Sequence, residues 1–83
     1  MEEFIKFLKS LDFDEDDGQW NLENRGCAWE HMQESHGYNE VERMYKDYFF
    51  PISFEVRKKA RELKVAIEVD HSVEYGELGI TLV

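Results

Sequence analysis

The residues of this 83-residue chain with the most potential for chemistry are Cys27, His31 and His36. Cys27 and His31 stand four apart, which on a helix puts a thiol and an imidazole on one face, a geometry that a zinc site can use. Zinc takes three or four ligands, however, and no Cys-x-x-Cys or second histidine pair supplies them. Glu30, Glu34 or His71 would have to be recruited. The same pair also has the makings of a thiol nucleophile with a histidine base. Cys27 follows Arg25 and Gly26 near the expected start of a helix, where a thiolate is favoured, but the formal net charge of -9 works against one. No third, orienting group is evident. A small metal- or thiol-dependent enzyme using Cys27, His31 and His36 is therefore an alternative only, and no catalytic residue, metal or cofactor is assigned. Asp14, Asp16 and Asp17 before Gly18 miss the spacing of a calcium loop, whose later glutamate is misplaced. There is no GxGxxG, no P-loop and no Gly-x-Ser-x-Gly.

What remains is charge. The chain carries 19 acidic against 10 basic residues, a large imbalance for so small a body. Asp12 to Gly18 is a mutually repelling run, expected to be a solvated loop. Glu68, Asp70 and Glu74 alternate with apolar residues and are expected on one face of a strand. Residues i and i+2 of a strand lie about 6.5–7 Å apart, close to the separation of neighbouring phosphates on a nucleic-acid strand. The expected partner-binding residues are Asp14, Glu15, Asp16, Asp17, Glu68, Asp70 and Glu74, with Trp20 as an exposed aromatic anchor. Such a surface suits a basic groove and associates quickly through electrostatic steering. The plainer role of the charge is solubility. The segment Arg57 to Lys64 is basic and would suit a nucleic-acid-binding helix, but the acidity of the remaining chain repels phosphates. Neutralising neighbouring acidic surface is the favoured role.

The elements that must position these residues follow from periodicity. Phe4, Ile5, Leu8 and Leu11 mark a helix over Glu2–Leu11. Cys27–Ser35 is expected to form a second helix, stopped by Gly37. Val41, Met44, Tyr45, Tyr48 and Phe49 give a third, the centre of the core, with Tyr48 and Phe49 both inward. Asn39 and Glu42 form its expected capping box, Glu42 and Lys46 an i, i+4 pair, and Pro51 its end at Phe50. Ser53 could cap a further helix to Lys64, with Val56, Ala60 and Leu63 inward, although Ile52, Phe54 and Val56 also alternate like a strand. Trp20 and Leu22 alternate, as in a short strand. Val65 to Tyr75 alternates apolar with polar residues, Gly76-Glu77 suits a turn, and Leu78, Ile80 and Leu82 return. The expected fold is α+β: three to four short helices packed on a small C-terminal antiparallel β-sheet, with a hairpin over about 65–83, in a single compact domain over 1–83.

One cysteine cannot form an internal disulfide, which fits a reducing compartment. The N-terminus, with Lys6 and Lys9 inside its apolar stretch, lacks the pattern of a signal peptide, and no apolar run approaches the roughly 20 residues that cross a bilayer. A cytoplasmic protein is expected. In size, acidity and lack of a catalytic signature the chain is similar in kind to small phage-encoded inhibitors, including DNA-mimic and anti-CRISPR proteins, and to nuclease immunity proteins. This likeness of composition implies a non-enzymatic inhibitor or regulator of a basic nucleic-acid-binding protein, such as a nuclease or CRISPR effector. It implies no direct contact with nucleic acid or membrane. The alternative from a different class is a general interaction subunit or homodimer, joined through Trp20 or the edge of the C-terminal sheet.

Overall fold

A computed structural model of the chain describes residues 1–23 and 37–83. The expected helix over Cys27–Ser35, with Cys27, His31 and His36, lies outside the described residues. The elements run α1 (Glu2–Ser10), β1 (Asp14–Asp16), β2 (Gln19–Glu23), α2 (Tyr38–Glu62), β3 (Ile67–Ser72) and β4 (Glu77–Leu82). The strands form one antiparallel sheet in the order β1-β2-β4-β3. The class is α+β, as expected. The described residues hold two helices instead of three to four, and the sheet takes in an N-terminal hairpin as well as the expected C-terminal one.

The largest departure is α2, which runs for 25 residues straight through Pro51. Proline inside a helix removes one hydrogen bond and costs about 3 kcal/mol. Here the loss is outweighed by packing on both sides. Val41, Tyr45, Phe49, Ser53, Val56 and Ala60 are all buried, at spacings of three or four that keep one unbroken stripe on the sheet. Burying each large apolar side chain contributes about 1.5–3 kcal/mol, so the stripe defeats the break. Pro51 faces solvent, and Ser53 Oγ donates to the Phe50 carbonyl at 2.9 Å. Tyr48, expected inward beside Phe49, is instead 48% exposed, because the stripe has room only for every third or fourth residue. The expected capping box is also absent. Gly37, with φ 78°, sits at the N-cap without a side-chain cap, and Asn39 is already inside the helix. The Glu42–Lys46 pair does form, at 3.1 Å.

Both helices end the same way. After α1, Asp12 takes φ 70° and Phe13 N–H reaches back to the Leu8 carbonyl at 3.1 Å. After α2, Lys64 takes φ 56° and Val65 N–H reaches the Ala60 carbonyl at 2.8 Å. This six-to-one bond belongs to a Schellman ending, usually made with glycine. In each case the chain leaves the helix already turned towards a strand.

The run expected as a loop, Asp12 to Gly18, is instead a turn, a buried Phe13 and the strand β1. Asp17 (φ 50°) and Gly18 (φ 79°) form the two-residue connection between Asp16 and its cross-strand partner Gln19. Two positive φ values in succession match the twist of a tight hairpin, and Asp-Gly is a favoured pair for it. The C-terminal hairpin has a longer connection than the expected Gly76-Glu77 turn: Val73 to Gly76, with Gly76 at φ 64°.

Truncating Phe49 to Ala is expected to lower the unfolding free energy by about 3–5 kcal/mol, whereas Tyr48→Ala changes it far less. Pro51→Ala restores a donor inside a continuous helix and raises stability by up to about 3 kcal/mol. Denaturant unfolding of the three variants checks the assignment, and a destabilised Pro51→Ala would contradict the continuous helix.

Candidate functional site

Directly opposed residues of an antiparallel sheet share a face, so the register alone sorts the side chains. On the helix side, Trp20, Ile80 and Val69 form one row and Leu22, Leu78 and His71 the next. On the other side, one row is Asp16, Gln19, Thr81 and Glu68, and the next is Asp14, Asn21, Gly79 and Asp70. Glu23, Glu77 and Ser72 complete this outer face. Neighbouring strands lie about 4.8 Å apart, so carboxylates stand on both margins of a polar strip with a further pair at one end. None of the four strands contains a lysine or arginine.

The strip is built around Gly79. A Cβ there would lie 2.7 Å from Gln19 Nε2 and 3.3 Å from Asn21 Oδ1. The missing side chain lets Gln19 lie across β4 and donate to Asp70 Oδ2 at 3.5 Å, a long contact from β2 to β3. At the far end, burial and then the hydrogen bond and charge of the neighbouring Glu23 carboxyl push Glu77 above the usual carboxylate value. Two opposed carboxyls held this way share protons more readily than isolated ones.

Of the expected partner-binding residues, Asp14, Asp16, Glu68 and Asp70 converge on this face. Glu15 is opposed to Trp20 and so belongs to the other side of the sheet. Asp17 lies in the β1–β2 turn and Glu74 in the β3–β4 connection, at opposite ends of the strip. Trp20 is corrected outright: at 4% exposure it belongs to the core and cannot serve as an exposed anchor. Gln19, Asn21, Gly79, Glu23 and Glu77 were missed. The Asp-Gly turn was the signal that could have found them, because it pairs β1 with β2 and so aligns the whole face.

A polar buckle holds the sheet to α2. Tyr45, wholly buried, donates its hydroxyl proton to the Glu77 carbonyl at 2.6 Å, and its oxygen lies 3.0 Å from His71 Nδ1. A phenol has one proton, so with it committed to the carbonyl the His71 nitrogen must supply the hydrogen in the second bond. Burial, offset by a bond from the Ser72 backbone and reinforced by the Glu77 charge, raises the Tyr45 hydroxyl to about 12. His71 is held below its ordinary value by burial and then by Arg57, with Asp70 opposing. The ring also packs on Phe50 with centroids 4.8 Å apart. Among the described residues no group of three or more His, Cys, Asp or Glu is placed to hold a metal ion, and no helix is long and apolar enough to cross a membrane.

Comparison with models of protein families, with characterised proteins and with solved structures finds no match.

Two pH dependences of opposite sign follow. His71 has a lowered folded value, so its contribution to stability is full above pH 6.5 and is lost as pH falls through that lowered value. The stability difference between the parent and His71→Gln should therefore shrink on acidification. Glu77 has a raised value, so its contribution is present below pH 4.5 and is lost as pH rises through the raised value. Glu77→Gln should gain on the parent over that rise. Chemical unfolding of the two variants across this range checks both, and differences independent of pH would contradict them.

Proposed function

We propose that the protein is a non-enzymatic inhibitor or regulator that presents the outer face of its sheet to a basic, nucleic-acid-handling protein, occupying the site where nucleic acid would lie. The observation that carries this reading is the convergence of Asp14, Asp16, Glu68 and Asp70, with Glu23 and Glu77, on one face of four strands that themselves contain no lysine or arginine. Solubility alone asks for dispersed charge. Here the described lysines and arginines lie on α1, on α2 and at Lys64 behind it, while the four strands carry aspartate and glutamate but no lysine or arginine. Separating charge in this way creates a field with a direction, which orients and accelerates encounter with a basic groove.

Strand geometry also suits the task. Carboxylates at i and i+2 repeat every 6.5–7 Å or so along β1 and β3, and the two margins stand about 14 Å apart, three strand spacings. A sheet is stiffer than the loop that the acidic run alone would have made, so less ordering entropy is lost on binding. The second reading, a general interaction subunit or homodimer joined through Trp20 or through the edge of the C-terminal sheet, loses the first of its two contacts, because Trp20 is buried.

The test begins with capture of a partner from cells and its competition with nucleic acid. Lysine in place of Asp16, Glu68 and Asp70 should weaken binding by at least about tenfold at low salt, roughly 1.4 kcal/mol. The change should appear mainly in the on-rate if these residues lie at the rim of the interface. Glu2→Lys with Glu3→Lys and Glu15→Lys makes the same change in net charge away from the strip and should alter binding much less. Equal binding by the strip variant and the parent would overturn the reading.

A further inference from the structure

Strand β3 is last in the sheet, so one of its edges is unpaired among the described residues. The Val83 N–H bonds to the Ala66 carbonyl at 3.0 Å, which sets the alternation. Glu68, Asp70 and Ser72 then exchange bonds with β4, while the backbone groups of Ile67, Val69 and His71 point outward. An open edge of six residues is a template for another strand.

Its two sides differ sharply. Above the edge, on the outer face, stand Glu68 and Asp70. Below it, between α2 and the start of β3, runs a groove of about 390 Å³ lined by Phe54, Arg57, Ala60, Arg61, Val65 and Ile67. Phe54 is 61% exposed beside it. Arg57 and Arg61 are one helical turn apart and make no ion pair among the described residues, whereas Lys46 and Lys59 pair with Glu42 and Glu62. An unpaired guanidinium next to apolar surface is well suited to a carboxylate.

A second copy of this chain does not fit the edge. Symmetric antiparallel pairing of β3 with itself, faces matched, sets Glu68 opposite Asp70 or Asp70 opposite its own copy, and like charges directly opposed are destabilising.

We infer that the β3 edge and the adjoining groove receive an extended strand of a partner protein, with cationic side chains over Glu68 and Asp70 and apolar or acidic side chains in the groove. The added strand would lie about 4.8 Å beyond β3 and alternate its side chains between the two environments. Backbone bonds to Ile67, Val69 and His71 supply affinity, and the alternation supplies specificity. The cationic half of the pattern rests on the proposed basic partner. The groove half does not.

The probe is a synthetic peptide of about eight residues alternating Lys with Leu or Glu, set beside a scrambled peptide of the same composition. Binding is read by fluorescence anisotropy and by amide hydrogen exchange of the full chain. The alternating peptide should slow exchange at Ile67, Val69 and His71 by about tenfold or more, and the scrambled one should not. Arg57→Glu with Arg61→Glu should weaken its binding by about tenfold. N-methylation of alternate peptide amides should abolish binding in one set and spare it in the other, since only one edge of the peptide faces β3. Absence of binding, or binding with no protection at these three amides and equal tolerance of both N-methyl sets, overturns the inference. Binding confined to the strip around Asn21 and Gly79 would reject strand addition and leave the acidic-face reading standing. Edge protection combined with partner binding that ignores reversal of the strip would reject that reading and leave strand addition standing.

Discussion

The structure depends on one helix covering one face of one sheet. The buried stripe of α2, from Val41 to Ala60, packs with Trp20, Leu22, Leu78 and Ile80 from the sheet into a single core, to which α1 adds Phe4 and Leu8. Two layers are the least that can enclose such a core, and no described element forms a third. Among the described residues the opposite face of the sheet is therefore uncovered. Evolutionary freedom on that face is wide, because exposed strand positions contribute little to stability. The chain fills it with carboxylates and amides, including Glu77, whose pKa is raised by burial and then by the neighbouring Glu23 carboxyl. Holding like charges together in this way adds nothing to stability.

The same dependence explains the Tyr45 buckle. Tyr45 is the one aromatic residue of the stripe whose tip is polar, and it ends beneath the β3–β4 connection, where the Glu77 carbonyl and His71 meet it. Buried polar groups are tolerated when fully bonded, and here the bonds fix the height of the hairpin over the helix. The buckle thus connects the core to the end of the acidic strip. His71 in turn faces Phe50 and feels Arg57, so the groove beside β3 and the core are held by neighbouring residues of α2.

Much of this was legible in the sequence and some was not, for reasons that can be named. The periodicity of Val41, Tyr45 and Phe49, and again of Val56, Ala60 and Leu63, marked two helical stretches correctly. Local preference at Pro51 argued for a break between them, and only the continuity of the buried stripe, a tertiary effect, decides against it. Tyr48 and Phe49 look alike in composition, but a single residue rotates the side chain about 100° around the helix, from solvent to core. The C-terminal hairpin was legible because Ile67, Val69, Leu78, Ile80 and Leu82 alternate cleanly. The N-terminal hairpin was obscured by the charge of Asp14, Glu15 and Asp16, which reads as loop although Asp17-Gly18 is a hairpin turn. That error hid the acidic strip. The acidic residues could be counted from the sequence, but their convergence is set by register, which places Asp14 in the row of Asp70 and Asp16 in the row of Glu68.

The central claim is that the open face of the sheet, and not the helical layer, is the working surface. Mapping of backbone amide chemical shifts during titration with the captured partner tests it most directly. The account predicts that the largest changes fall on Asn21, Gly79, Thr81 and Asp70, with α1 and the first turns of α2 unmoved. Changes concentrated on α1 and the exposed side of α2, with the strand amides unperturbed, would contradict it.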